Sequence, residues 1–266
     1  MRILVTGGNG FVGGFIATHL SQVHTVLTPS SKELDLTNLD QVKDWFANNE
    51  VDAVVHCALS GREILTSTDP KYLSDGLLMF RNLWLHRNKY SLFINLGTAY
   101  ECELSVSNDN IKETDILDHL PTTSYGYAKN IVARIIRETN FFYNLRLFGV
   151  FHENESPIRF FSRVKNDPEL TINNDVYLDY IYLPDILPMI NCILAGNAQH
   201  RDINMVYPHK YQLSNLAEVL CVNLGLSAEK IKIKHPSGNN LTGDHLRLSS
   251  HGFDLIGLEQ GLRNYK

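Results

Sequence analysis

The sequence predicts an α/β protein, with a doubly wound parallel sheet and a small C-terminal lobe. Three observations carry that expectation. Short aliphatic runs alternate with amphipathic helical stretches over roughly the first 150 residues. The first run breaks at a cluster of glycines and gives way at once to a helical pattern. After Phe151 the alternation becomes irregular, which marks a change of organisation.

The elements follow in order. Arg2–Thr6 is β-branched and aliphatic and reads as a buried strand. Gly7, Gly10 and Gly13 then form GxxGxxG, and Phe11, Val12, Phe15, Ile16 and Leu20 fall on one side of a helix. A strand, a glycine turn and a helix N-terminus suit a pyrophosphate, because the backbone approaches closely and free N–H groups face the anion. We therefore assign Gly7, Asn9, Gly10, Phe11, Val12 and Gly13 to cofactor binding. A plain turn with a closely packed helix is the alternative.

The second strand, His24–Thr28, leads to Pro29, Ser30, Ser31 and Lys32. No carboxylate follows until Glu33. Ser30, Ser31 and Lys32 are placed to donate to a 2′-phosphate, so NADP(H) is the expected cofactor and NAD(H) the alternative. Asp35 and Leu36 resemble a loop that touches adenine. Leu39–Asn48 reads as an amphipathic helix with Leu39, Val42, Trp45 and Phe46 inward. The strand Val51–Ala58 ends in small residues, so Cys57, Ala58 and the adjoining Leu59 leave room for a cofactor; His56 reads as a packed strand residue. Leu77–His86 is a further helix, and Ser91–Leu96 a further strand. It leads to Gly97, Thr98, Ala99 and Tyr100 at the carboxyl edge, where ligands of such sheets lie.

Composition excludes several roles. The 266 residues carry a formal net charge of −5, which argues against nucleic-acid or membrane-surface binding through bulk charge. No apolar run is long enough to span a bilayer. The glycine turn interrupts the N-terminal apolar run too early for a signal peptide. Cys57, Cys102, Cys192 and Cys221 lack metal or disulfide spacing, so no metal and a cytoplasmic location are expected.

The stretch Ser124–Asn130 holds Tyr125, Tyr127 and Lys129 behind a cap at Thr123 or Ser124. Tyr125 and Lys129 are four apart and share a helix face; Tyr127 is two from each and points away. A neighbouring ammonium is expected to lower a phenol pKa and fit it for proton exchange with a carbinol or carbonyl. Thr98 supplies a hydroxyl for the same oxygen. The catalytic set is thus Thr98, Tyr125 and Lys129, with Lys129 also on the cofactor ribose.

These motifs, with Arg146–Phe151 and Asp179–Ile186, resemble the extended short-chain dehydrogenase/reductases of the nucleotide-sugar epimerase/dehydratase type, over about the first 190 residues. The resemblance implies a Rossmann-type domain over residues 1–150, with 177–206 returning to it. Residues 151–176 and 207–266 would form the substrate-binding lobe. It also implies a nucleotide-sugar substrate and, by analogy, a homodimer. Leu96–Gly97–Thr98 resembles the strand end of GDP-fucose synthase-like members, and Ala99–Tyr100 replaces the Asp-Glu pair of dehydratases. Cys102 does not occupy the slot of the epimerising cysteine, and His152 is only a loose partner for it. We therefore expect an NAD(P)H-dependent reductase of a 4-keto sugar on a nucleoside diphosphate, with Tyr125 as proton donor. A 4-epimerase or 4-dehydrogenase retaining NAD, and a non-catalytic NADP-binding regulator, are the alternatives. Substrate contacts are assigned to Thr98, Ala99, Tyr100, Arg159 and Arg163. The two arginines are four apart in a helical stretch, Ile158–Lys165, and suit a diphosphate, with a solvated face as the alternative.

Overall fold

The computed structural model describes residues 1–59, 68–118 and 120–266. In chain order the elements begin with β1 (Arg2–Thr6), α1 (Phe11–Leu20), β2 (Thr25–Leu27), α2 (Leu39–Asn48), β3 (Ala53–His56), α3 (Pro70–Leu85) and β4 (Leu92–Thr98). Next come β5 (Asn108–Ile111), α4 (Ser124–Glu138), β6 (Phe142–Leu147), β7 (Gly149–Phe151), α5 (Phe160–Asn166), β8 (Leu170–Asn174) and β9 (Tyr180–Tyr182). The chain closes with α6 (Leu187–Leu194), β10 (Asp202–Met205), α7 (Leu213–Leu224), β11 (Ile231–His235), β12 (Leu241–Gly243), α8 (Leu246–Ser249) and α9 (Leu258–Asn264).

Two compact units result. The first comprises residues 1–103, 114–146 and 190–203; the second comprises 104–113, 147–189 and 204–266. The first unit is built on a six-stranded parallel sheet of order β10-β6-β4-β3-β1-β2. The register pairs Thr6 with His56, and His56 with Asn95. Strands β3 and β4 are buried along their whole length, as expected of a sheet covered on both faces. Leu4, Val54, Phe80, Leu83, Phe93, Val132 and Phe142 form much of the core on one side.

Helix α1 departs from the expected apolar face. Gly13, Ile16, Ala17 and Leu20 are its buried residues, while Phe11, Val12 and Phe15 are half-buried. Small residues allow this helix to pack close to β1, so the bulky ones sit at its margin. In α2, Val42 and Phe46 are buried, but Leu39 is exposed because it opens the helix beside the Asn38 cap. Helix α3 starts at Pro70, earlier than its apolar pattern suggests, behind an Asp69 cap that accepts from Lys71 N.

The second unit holds three two-stranded parallel pairs, β5 with β12, β7 with β9, and β8 with β11. Phe151, Phe161 and Tyr182 pack ring to ring, with centroids 4.8 and 5.2 Å from that of Phe151. The Asp179–Ile186 segment supplies its polar anchors. Asp179 accepts from Lys210 Nζ and Gly243 N, both at 2.7 Å. Asp185 accepts from the Tyr207 hydroxyl and from the Ile256 and Gly257 amides.

Candidate active site

The chain leaves β1 in one direction to reach β2 and later returns to place β3 on its other side. That reversal opens a crevice at the carboxyl ends of β1 and β3. Gly7 turns there at φ +69°, and a Cβ on it would lie 2.8 Å from Ala58 N. A Cβ on Gly13 would strike the Gly7 carbonyl oxygen. The two glycines thus hold the turn where no side chain fits. Gly10 caps α1 without a side-chain bond, so the helix start presents backbone rather than side chain.

A cavity of about 410 Å³ opens from this turn. Gly7, Asn9, Ser30, Ser31, Asp35, Leu36, Ala58 and Leu59 line it. The sequence thus places most of the expected cofactor residues around one space. Gly10, Phe11, Val12 and Gly13 belong to the adjoining turn and first turn of α1, Cys57 lies against Gly13, and Lys32 is exposed. The shape and open backbone suit a dinucleotide.

Ser30 is not an idle donor. Ser30 N and Oγ both donate to the Glu33 carboxylate, at 2.8 and 2.7 Å. The backbone bond, then the hydroxyl, holds that carboxyl below its usual range. Asp35 similarly closes a local turn, accepting from Thr37 N and Oγ1.

The reacting end lies where β4 stops. Thr98 is its last residue, and its hydroxyl lies near enough to the Tyr125 phenol to oppose the rise in that group's pKa. Helix α4 opens as expected, with the Thr123 hydroxyl accepting from Gly126 N at 3.1 Å. Gly126 lies against the Tyr100 carbonyl, which brings this helix start close to the end of β4. Tyr125 and Lys129 line one small cavity, whereas Tyr127 is half-buried. Lys129 Nζ donates to the Leu96 carbonyl at 2.9 Å. Ala99 is buried and Tyr100 half-buried, its ring 6.1 Å from that of Tyr125.

The expected lowering of the phenol pKa is not found. Burial raises Tyr125, the Thr98 hydroxyl opposes the rise, and Glu101 and Tyr100 add to it. Burial lowers Lys129, opposed by Glu101 and Cys57. Lys129 is not among the influences on Tyr125; desolvation dominates, so the phenol remains protonated at neutral pH.

Sequence reasoning missed the support beneath these groups. Glu101 accepts from Thr98 N at 2.9 Å, completing a capping box with the Thr98 hydroxyl. Its carboxylate also meets Arg146 Nε at 2.7 Å, and Arg146 reaches Asp202 at 3.0 Å. Asn130 of α4 donates to the Glu101 carbonyl at 2.7 Å. Glu101 therefore joins the strand end bearing Thr98 to the helix bearing Tyr125 and Lys129. The Thr-x-x-Glu spacing from Thr98 to Glu101 was the available signal.

In the second unit, Arg159 precedes α5 rather than lying within it. It pairs with Glu155 at 3.2 Å and donates to the Val150 carbonyl, while Arg163 pairs with Asp167 at 2.9 Å. Cys102 is buried, its thiol pushed up to about 12 by burial. His152 stacks on Tyr182 at 5.7 Å. Among the described residues no group of His, Cys, Asp and Glu is arranged to hold a metal. No described helix is long and apolar enough to cross a membrane.

Gly13→Ala tests the turn. The added methyl should cost about 1–3 kcal/mol of stability, the usual scale of overpacking, and weaken NADPH binding. Thermal melting and a fluorescence titration measure both; an unchanged melt and affinity would contradict the close approach.

A likeness to solved structures extends over nearly the whole chain. A GDP-mannoheptose C4 reductase from Campylobacter jejuni, with NADP bound, superposes with a TM-score of 0.84 at 17% identity, covering 99% of this chain and 96% of that one. A dTDP-4-dehydrorhamnose reductase from Bacillus anthracis, in complex with NADP, gives 0.82 at 17% identity with the same coverages. A UDP-glucose 4-epimerase from Thermotoga maritima gives 0.81 at 18%, covering 100% and 97%. At such identities the likeness establishes the fold. In sequence, GDP-L-colitose synthase of Yersinia pseudotuberculosis is 29% identical over 137 residues, 48% of this chain and 43% of that protein. GDP-L-fucose synthase of Azorhizobium caulinodans is 31% identical over 133 residues, 48% and 42% respectively. The matched stretches thus span less than half the length of these relatives. A sequence model of the NAD dependent epimerase/dehydratase family matches residues 3–205. With the glycine turn at the switch point and the parallel sheet behind it, the match establishes that the chain belongs to the NAD dependent epimerase/dehydratase family.

Proposed function

We propose that the chain is a reductase of a 4-keto sugar attached to a nucleoside diphosphate, with NADPH as the favoured reductant. The observation that carries this reading is that Tyr125 and Lys129 of α4 line one cavity, with the Thr98 hydroxyl at the end of β4 close enough to act on the Tyr125 phenol. The turn Gly7–Gly13 and the cavity along Ser30, Ser31, Asp35 and Leu36 would hold the dinucleotide. When bound, the nicotinamide supplies a hydride.

Each side chain has one task. Thr98 orients the substrate carbonyl oxygen through its hydroxyl. Tyr125 gives its phenolic proton to the oxygen that gains charge. Lys129 stabilises the phenolate left behind and donates to the nicotinamide ribose. Tyr125 enters the reaction protonated because burial holds its pKa up. A homodimer is part of the proposal by family analogy alone. The named activities of the relatives support the substrate class, since synthases of GDP-sugars and reductases of 4-keto sugars recur among them.

A second reading, an epimerase that retains NAD, draws support from Glu33. Its carboxylate holds the Ser30 donors that a 2′-phosphate would use. Under the reductase reading the phosphate takes the place of this carboxylate. Glu33→Gln should then tighten NADPH binding roughly two- to fivefold, the scale of an exposed charge contact, and leave NADH unchanged. Equal affinities for NADPH in parent and variant would argue for the second reading. Activity itself is tested by following NADPH consumption with a panel of 4-keto GDP-, dTDP- and UDP-sugars. Consumption with one of them supports a reductase; interconversion of a 4-hydroxy sugar with no added cofactor points to the epimerase.

A further inference from the structure

A row of polar side chains crosses the buried sheet of the first unit. Thr6, His56 and Asn95 are register partners on β1, β3 and β4 and so share a face. Asn95 continues to Asn144 of β6, and Asn144 to Asp202 of β10. Such a row is unusual in a parallel sheet, whose strands are ordinarily apolar throughout.

The row is joined at every step but one. Thr6 Oγ1 lies 2.8 Å from His56 Nδ1. That oxygen already accepts from the Cys57 and Ala58 amides, so its proton points to His56. His56 therefore accepts through Nδ1 and carries its own proton on Nε2. Burial pushes its pKa down to about 3, so the ring is neutral. At the other end, the Asn144 amide nitrogen donates to Glu101 and Asp202, which turns its oxygen to accept from Asn95 Nδ2 at 2.6 Å. The orientation of the Asn95 amide is thereby fixed, and its Oδ1 is left over. That oxygen is buried and lacks a hydrogen-bond partner among the described residues.

At this gap lies a cavity of about 20 Å³ whose lining includes the polar side chains of His56, Asn95, Tyr125 and Lys129 beside apolar ones such as Met79, Phe80 and Val132. Roughly 10–15 Å³ suffices for one water with polar partners. Lys129 spends one N–H on Leu96, and an ammonium has three. We propose that this cavity is a site for one structural water that accepts from Lys129 Nζ and His56 Nε2 and donates to Asn95 Oδ1. The water closes the polar row and couples the Lys129 ammonium to the Arg146–Glu101–Asp202 cluster. Asn95 and His56 are then positioning residues for the Tyr125–Lys129 pair.

The groups facing Lys129 are Tyr125 on its own helix, Tyr72 on α3, His56 and Cys57 at β3, and Glu101 beyond β4. Glu101 and Cys57 favour the charged ammonium, and the water-borne contact to Asn95 adds to them. The water site stands without the proposed reaction; its kinetic consequence rests on the reductase reading.

Two measurements test it. A crystal structure of the protein at a resolution that places waters should contain one within hydrogen-bond distance of Asn95 Oδ1 and Lys129 Nζ. A dry cavity, or an Asn95 amide turned to another partner, overturns the proposal whatever the substrate proves to be. The pH profile of NADPH consumption gives the second. Asn95→Leu removes the acceptor, so the alkaline limb should move down by about one pH unit. Asn95→Asp adds a negative charge and should hold or raise it. Limbs unmoved in both variants, or moved in the same sense, would assign Asn95 a packing role only.

Discussion

Tyr125→Phe will lower turnover by about 10²–10⁴-fold, the usual contribution of a positioned proton donor, while leaving NADPH affinity close to that of the parent. The phenyl ring keeps the packing of a buried residue that sits 6.1 Å from the Tyr100 ring. Only the phenolic hydroxyl is lost. The dinucleotide cavity along Gly7, Ser30 and Leu36 is untouched. Steady-state kinetics and a binding titration separate the two effects. Full turnover in the variant would remove Tyr125 from the chemistry; lost binding with lost turnover would recast it as a scaffold residue.

Arg146→Leu will destabilise the fold by about 3–5 kcal/mol, because removing one partner of a buried ion pair strands the other. Arg146 is fully buried between Glu101 and Asp202. Its loss leaves two buried carboxylates; Asp202 retains Arg137 at 3.5 Å, while Glu101 keeps only its longer-range attraction to Lys129 among the described residues. Burial already raises the Glu101 pKa, and Arg146 is the main influence opposing it. In the variant the folded pKa of Glu101 lies still further above its unfolded value. Its cost is therefore absent below the unfolded carboxylate range and grows as pH rises through the folded pKa. The stability gap between parent and variant should accordingly narrow as pH falls, measured by urea unfolding at several pH values. A small gap independent of pH would mean that the cluster adds little.

What was legible in the sequence was whatever depends on spacing along the chain. The Gly7–Gly13 turn, the Thr123 cap and the Tyr125–Lys129 face are local, and each is set by neighbours within a few residues. The buried cluster was not legible, because Glu101, Asn144, Arg146 and Asp202 meet only once strands β4, β6 and β10 lie side by side. Strand order is not written in hydrophobic periodicity. The Tyr125 pKa was misjudged for a related reason. Spacing names its neighbour Lys129, which is not among the influences on it, whereas burial, the largest influence, depends on the packing of the whole unit. Ser30 and Glu33 lie close in sequence, yet their pairing requires a turn whose conformation the composition does not dictate.

If the proposed reduction is right, the cleft takes NADPH and its hydride leaves with the product. The most direct measurement is mass spectrometry of any nucleotide released when the purified protein is denatured, followed by titration of the emptied protein with NADPH and NADH. Little retained nucleotide and tighter binding of NADPH than of NADH are expected. Stoichiometric retained NAD would contradict the proposed reduction, because a cofactor that never leaves must recover its hydride from the same substrate.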